Sequence, residues 1–402
     1  MQDLLMRRNQ ELIHNIEVLL DSIDKVQIPE ELQPYKKYVV QMCKTLQGHI
    51  NRNIAHLRLD QIDILDDVLS NTKQVTQYVR LLSSRLSTPL LRASSSDRLS
   101  LYIIGWLHKE HPQTANYPPA FVDGGCSVFP FELSPVYFFP SAEQRGLLYQ
   151  PLLFHEFGHF LYVRHKPEMD DLVSELRQDV TDLLVPVSQR NDRYAEEQAE
   201  KRQVIADTWY IWAQELFCDA VGFEIGGPSF LYAFSSFVGG LHQGDFSRQP
   251  KDLRLSDHPV TWLRVRFLAE WAATSGFADL AKAIEEEWSM VAQIIGAVED
   301  YHGFYHETLS KAIKDTIQDM LTEASPRKHT DSEATAGGWS PTSDSPVRLL
   351  NWAWQIYTND YEQYPTWEAE QIELLISNAT YNLQNGEQSE NDKGVLSLKT
   401  FA

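Results

Sequence analysis

Two histidines four residues apart in an apolar run constrain the fold and chemistry of this chain more than any other feature. They lie in the stretch Pro151-Leu-Leu-Phe-His155-Glu156-Phe-Gly-His159-Phe-Leu-Tyr-Val163. On an α-helix, positions i and i+4 share a face, so both imidazoles can reach a single ion. Zinc suits paired imidazoles. Glu156 lies about 100° round the helix from His155, where it can contact a metal-bound water as a general base. The stretch therefore predicts a helix that supplies two metal ligands and a base.

The composition favours a large folded protein and excludes several kinds of partner. The chain has 402 residues, of which 43% are hydrophobic, which is enough for one large domain or two ordinary ones. Its formal net charge of −21 argues against a nucleic-acid binder, which needs a basic surface, and against adsorption to anionic membranes. We therefore expect neither nucleic acid nor a membrane as a partner.

The cysteines and the N-terminus indicate a protein of a reducing compartment. The chain has three cysteines, an odd number that cannot all form disulfides: Cys43, Cys126 and Cys218. They also lie far apart in the sequence, so no disulfide framework is expected. Residues 1–10 lack the ordered basic, apolar and small-residue regions of a signal peptide. No apolar run approaches the roughly 18 residues that span a bilayer. The sequence predicts a soluble, cytoplasmic protein.

Residues 1–95 are predicted to form an N-terminal helical region. Apolar residues recur at helical spacing up to Ile28, from about Pro34 to Leu57, and from about Asp60 to Leu86. The small number of glycines and the short connections favour an antiparallel hairpin or a small bundle. This region could recruit a protein partner, shield a cleft or complete the core, and the sequence leaves these alternatives open.

Residues 96–322 are predicted to form a second, mixed domain around the histidine motif. The run 99–107 mixes β-branched and aromatic residues like a strand, although its start could extend a helix. Segments 127–133 and 135–140 are typical of short strands, and their prolines indicate the edge of a sheet, where an extended peptide could add as a further strand. Helices are expected at about 165–200 with a break near Pro186, and at about 204–223, 229–240, 260–275, 278–295 and 299–323.

The last part of the chain is predicted to return to the main body after an irregular segment. Residues 323–346 are polar, rich in Ser, Thr, Pro and Gly, and without periodicity, which indicates a flexible linker or loop. Helical patterns return at residues 347–384, which are expected to pack on the body. Residues 385–402 are typical of a disordered tail.

A zinc site needs a third protein ligand, and the best candidate is Glu215 in Glu215-Leu-Phe-Cys-Asp219. Glu215 and Asp219 share one face of a helix rich in aromatic residues. Two carboxylates on the buried side of such a helix are costly unless they meet a cation or strong donors. The economical assignment places Glu215 on the metal and lets Asp219 accept the free ring N–H of a ligating histidine. Glu175 and Glu224 are the alternative ligands, because chemistry does not fix the spacing between helices.

These residues resemble a known group of enzymes. His155-Glu156-x-x-His159 followed by Glu215-x-x-x-Asp219 is similar to the gluzincins, the metallopeptidases of thermolysin type that have a glutamate as third zinc ligand. The resemblance implies zinc as the cofactor, Glu156 as the base and hydrolysis of a peptide bond by a metal-activated water.

A second element supports this resemblance. The stretch Asp257-His258-Pro259-Val-Thr261-Trp-Leu-Arg264 is similar to the His-Pro-x-Thr-x-x-Arg element of the CAAX prenyl endopeptidases and their soluble relatives. The resemblance implies that His258 donates to the oxyanion and that Arg264 orients or pairs with active-site carboxylates. It covers about residues 150–266. The chain lacks the transmembrane helices of the prenyl endopeptidases, so their membrane substrates are not expected.

The sequence and the resemblance together predict a mostly α protein of the α+β kind. A zincin-like catalytic domain with a small edge-stranded sheet would follow an N-terminal helical bundle. The expected function is zinc-dependent hydrolysis of a peptide or protein substrate. One alternative is a regulatory protease of the IrrE type, which cleaves a single partner. The other is a catalytically silent zincin fold that acts as a binding or effector module, but Glu156 favours an enzyme because a structural site needs no base.

Overall fold

The computed structural model describes residues 1–59, 64–129, 134–184, 199–239, 242–254, 256–335 and 337–386. The predicted break near Pro186 and nearly all of the predicted tail lie outside these residues. The helices are α1 Gln2–Lys25, α2 Gln33–Arg58, α3 Leu65–Leu81, α4 Thr88–Leu91, α5 Arg98–Glu110, α6 Leu152–Arg164, α7 Lys166–Leu183, α8 Ala199–Gly226, α9 Pro228–Val238, α10 Pro250–Arg254, α11 Thr261–Thr274, α12 Ala278–Ile295, α13 Glu307–Ala324, α14 Asp331–Ala334, α15 Pro346–Asn359 and α16 Tyr364–Gly386. The strands are β1 Ala120–Asp123, β2 Ser127–Phe129 and β3 Val136–Phe139. A mostly α fold with a small sheet is confirmed, and none of the described helices combines the length and apolar character needed to cross a bilayer.

The first three helices pack on one another through apolar faces that enclose a small polar cluster. Asn9, Asn53 and Thr72 are buried, and the Asn9 side-chain amide donates to Thr72 Oγ1 at 3.0 Å. The Asn53 amide donates to Asn9 Oδ1 at 3.1 Å. These bonds hold the three helices in register, since a buried amide without a partner is costly. Most of the apolar core of this region is continuous with that of the rest of the molecule, whereas Leu5, Leu57 and Val68 form a small separate cluster.

The sheet has the order β1-β3-β2, with β3 parallel to β1 and antiparallel to β2. The prediction that both extended segments lie at an edge is wrong for 135–140, because β3 is the central strand. Pro135 and Pro140 flank β3 without entering it, so all four of its residues keep an N–H for pairing. β2 does form an edge. β1 was not predicted, because four residues are too few to show an alternating pattern.

The segment 99–107, predicted to be a strand, belongs to helix α5, so that prediction is wrong. Nearly every side chain from Leu99 to His108 is buried or half-buried. A helix that is apolar all round shows no polar face and hides its 3.6-residue period. Burial in the tertiary structure outweighs the β preference of these residues, which is itself strongly dependent on context.

The helix predicted at 299–323 begins only at Glu307, as α13. His302 and Gly303 have φ angles of 49° and 83°, which no helix accommodates. His306 then caps α13, because its ring nitrogen Nδ1 accepts a hydrogen bond from the N–H of Thr308. The strained turn and the cap together set the start of the helix.

The segment predicted to be a linker, 323–346, contains the short helix α14 and makes specific contacts with the body. The backbone N–H of His329 donates to the carbonyl oxygen of Glu224 at 2.7 Å. Beyond it, the Trp354 indole on α15 donates to the carbonyl oxygen of Leu148 at 2.9 Å. Glu368 on α16 accepts the N–H of Leu147 at 2.6 Å. Helices α15 and α16 therefore pack on the turn that leads into α6.

Candidate metal centre

Helix α6 places both histidines of the motif at one end of the buried core. Ten of its residues are buried, and the rings of His155 and His159 meet edge to face with centroids 5.0 Å apart. The side chain of His155 is 10% exposed and that of His159 is 29% exposed. The site is therefore closed behind His155 and open to solvent beside His159.

Helix α8 packs along α6 and brings Glu215 to the two imidazoles. His155 Nε2 lies 3.5 Å from Glu215 Oε2, and His159 Nε2 lies 3.5 Å from Glu215 Oε1. These separations are long for N–H···O hydrogen bonds. The two separations end on different oxygens of Glu215, and one ligand atom from each of the three residues lies within 4.8 Å of the other two. The three residues form a group that could hold a metal ion.

One carboxylate oxygen of Glu215 makes no hydrogen bond, which supports a metal ion at this position. Oε2 lies within 3.5 Å of nitrogens from His155, His258 and Arg264, yet none of them reaches hydrogen-bond geometry with it. Burial alone would raise the pKa of Glu215, but these three neighbours hold it well below its usual value. A buried, ionised oxygen without a hydrogen bond is costly, and a cation would satisfy it.

Asp219 and Arg264 lie behind His155 and hold it in place. Arg264 donates to both oxygens of Asp219, from Nε at 2.8 Å and from Nη2 at 2.7 Å. His155 Nδ1 lies 2.9 Å from Asp219 Oδ1, but the direction of its N–H bond does not meet the angle of a hydrogen bond. A carboxylate at this position fixes the tautomer of a ligating histidine and leaves Nε2 free for the metal.

The carboxylates of the site outnumber its buried guanidinium. Three buried carboxylates (Glu156, Glu215 and Asp219) lie together with the buried guanidinium of Arg264. Burial would lower the pKa of His155, but Asp219 and Glu215 outweigh burial and raise it to about 10. A proton on His155 thus compensates part of the excess charge when no metal is bound, and a metal would replace it.

Glu156 is buried beside the ligands and makes no side-chain hydrogen bond to the described residues. Burial raises its pKa to about 7, although the neighbouring His155 opposes the rise. Burial, followed by the charge of Glu156, raises the pKa of Cys126 to about 12. Cys126 immediately precedes the edge strand β2, which packs against α6.

His258 lies at the open rim of the site. Its side chain is 50% exposed, and Nε2 is 3.1 Å from Glu215 Oε2. Ser256 Oγ donates to the carbonyl oxygen of His258 and fixes the turn before α11. Two residues of the predicted His-Pro-x-Thr-x-x-Arg element thus lie at carboxylates of α8. His258 lies near Glu215, and Arg264 binds Asp219.

The alternative ligands are not part of this group. Glu175 is exposed on α7. Glu224 binds the ammonium of Lys328 at 3.1 Å and the Trp271 indole at 3.3 Å. One neighbour of the site carried no signal in the sequence: the ring centroid of Phe234 on α9 lies 6.5 Å from that of His155 and 4.8 Å from the Arg264 guanidinium. Only packing between helices reveals such a residue.

The two histidines, Glu215, Asp219 and Arg264 therefore form one cluster at the junction of α6, α8 and α11, which is buried except at His159. Comparison of the chain with family models, with curated proteins and with solved structures gives no match.

Proposed function

We propose that this protein is a zinc-dependent metallopeptidase, with His155, His159 and Glu215 as metal ligands and Glu156 as general base. The observation that carries the proposal is that His155, His159 and Glu215 each offer one ligand atom and that these three atoms lie within 4.8 Å of one another. Two imidazoles and one carboxylate leave the fourth position of a tetrahedral zinc open, as in catalytic sites, whereas structural sites use four protein ligands.

The residues around the ligands have the chemistry that peptide hydrolysis needs. Bound zinc would activate a water and polarise the scissile carbonyl group. Glu156 would accept the proton of the attacking water and deliver it to the leaving amine. His258, half-exposed at the rim, would donate its ring N–H to the carbonyl oxygen as negative charge develops there. Arg264 would hold Asp219, and Asp219 would hold the ring of His155.

The edge strand β2 offers a place for the substrate backbone. β2 packs against α6, and its outer edge is unpaired within the described part of the chain. An extended peptide could add to this edge through backbone hydrogen bonds. Because β2 packs against the helix that carries Glu156, a peptide added to β2 would lie beside α6. This arrangement supports a peptide as substrate in preference to a small molecule.

A pair of measurements tests the proposal. We expect the purified protein to bind about one zinc per chain. We expect Glu156→Gln to keep the zinc but to lose at least about a hundredfold in the cleavage of a peptide library. Glu168→Gln, on the exposed face of α7, removes the same charge and should cleave like the parent. Absence of bound metal, or cleavage by Glu156→Gln at the parent rate, would contradict the proposal.

A further inference from the structure

One face of α8 carries the two carboxylates of the site and, further along the helix, two glycines. Glu215, Asp219, Gly222 and Gly226 follow one another at helical spacing, so they share that face. A Cβ atom on Gly222 would overlap the ring of Phe230, and one on Gly226 would lie 3.0 Å from Phe230 Cβ. The glycines therefore let α9 pack closely against the face of α8 that carries the carboxylates.

This close approach places a pair of phenylalanines of α9 beside the metal centre. The rings of Phe230 and Phe234 stack with centroids 5.7 Å apart. Phe234 is 3% exposed, and its ring centroid lies 4.8 Å from the guanidinium carbon of Arg264. The same ring lies 6.5 Å from the ring of His155, measured between centroids. Phe234 thus contacts both a predicted metal ligand and the arginine behind it.

The guanidinium of Arg264 is held along its edge by a carboxylate and on its face by an aromatic ring. Its Nε and Nη2 atoms donate to the two oxygens of Asp219 at 2.8 and 2.7 Å. The N–H bonds of a guanidinium lie in its plane, so its faces stay available for the ring of Phe234. The electron-rich face of a ring attracts a cation most strongly where water is excluded. An apolar cover also strengthens the ion pair, because it keeps the local dielectric constant low.

The arrangement continues from the ion pair to the metal ligand. Asp219 Oδ1 lies 2.9 Å from His155 Nδ1. A carboxylate that is itself held in place orients a ligating imidazole before the metal binds. We propose that Phe234 is a positioning residue of the metal centre, which acts on the ligand His155 through the Arg264–Asp219 pair. This inference rests on the metal ligands of the proposed function.

Phe234→Leu tests the positioning role, because it removes the aromatic face and keeps a buried apolar side chain. We expect the variant to bind zinc about fivefold more weakly than the parent, a smaller effect than the loss of the carboxylate itself. Competition with a chelator of known affinity measures the change. Phe121→Leu is the matched control, since it removes a ring that is 2% exposed from β1, and its zinc affinity should stay within about twofold of the parent's.

The route through the ion pair is tested in the Asp219→Asn background. There, Phe234→Leu should change zinc affinity by less than about twofold, because the pair through which the ring acts is already broken. A ring that only fills space would give the same fivefold loss in both backgrounds. Phe234→Met repeats the comparison with a flexible side chain that fills the same space with less strain.

The outcomes separate the positioning role from the peptidase proposal. Unchanged zinc affinity in both Phe234→Leu and Phe234→Met, an equal loss in Phe121→Leu, or the same loss with and without Asp219 would overturn the role of Phe234 alone. Zinc binding that depends on Phe234 as expected, in a parent protein that cleaves no peptide, would support the positioning role and overturn the peptidase function. A parent protein that binds no zinc would overturn both.

Discussion

The backbone of α8 passes so close to Gly158 that a methyl group there has no room. A Cβ atom placed on Gly158 would lie 2.8 Å from Cys218 Cα and 3.1 Å from Cys218 Cβ. Gly158 lies between Glu156 and His159 on α6, and Cys218 lies between Glu215 and Asp219 on α8. The contact between these two residues therefore sets the distance between the two helices that carry the predicted metal ligands.

Gly158→Ala is expected to separate α6 from α8 and to weaken metal binding at least about tenfold, because ligand distances in zinc sites vary by only about 0.2 Å. Competition with a chelator of known affinity measures the effect. Gly48→Ala is the matched control, since a Cβ on that exposed residue of α2 meets nothing within 4 Å. The control should raise the free energy of unfolding by about 0.5–1 kcal/mol without changing metal affinity. Unchanged metal affinity in Gly158→Ala would show that the helix contact does not position the ligands.

Asp219→Asn is expected to lower metal affinity about 10–100-fold, because the ring of His155 loses its anionic partner. It should also lower the free energy of unfolding by about 1–3 kcal/mol, because the buried Arg264 loses the ionised acceptor of its two hydrogen bonds and keeps only Glu215, at 3.4 Å. Chelator competition and urea unfolding measure the two effects. Asp207 lies on the surface of α8 and pairs with Arg177 of α7. Asp207→Asn should lower the free energy of unfolding by about 1 kcal/mol or less. Equal effects at the two positions would refute the role assigned to Asp219.

His108 is expected to make the protein sensitive to mild acid. It is buried on α5 with Nε2 2.9 Å from the Tyr137 hydroxyl, and burial lowers its pKa to about 3. Below the unfolded pKa of about 6.5 the unfolded chain binds a proton that the folded protein does not, so stability falls as the pH falls towards 3. From pH 7.5 to pH 5 this costs about 2 kcal/mol.

His108→Gln removes this titration and tests its sign. The variant should be less stable than the parent at pH 7.5, because a buried contact with Tyr137 is lost. Its deficit in the free energy of unfolding should shrink by about 2 kcal/mol at pH 5. Urea unfolding at the two pH values measures the difference. A deficit that is the same at both values would mean that His108 is not held neutral in the folded protein.

Local sequence patterns were sufficient for the features that depend on a single helix. The spacing of His155 and His159, and that of Glu215 and Asp219, places each pair on one face wherever a helix forms, because the backbone repeats every 3.6 residues. The same period located most of the long helices to within a few residues. It failed at residues 99–107, where burial on nearly all sides leaves no polar face to reveal the helix.

Only the tertiary structure decided which of these faces meet. Sequence spacing could not fix which carboxylate meets the two histidines, because the packing of α6 against α8 places Glu215 there and that packing depends on contacts such as the one at Gly158. The contact between the rings of Tyr149 and Phe237 was equally hidden, since the two residues lie on separate segments that are far apart in the chain. The sequence by itself determined the chemistry that each helix can present. Close packing between distant segments, which no local period encodes, determined how those groups are combined into one site.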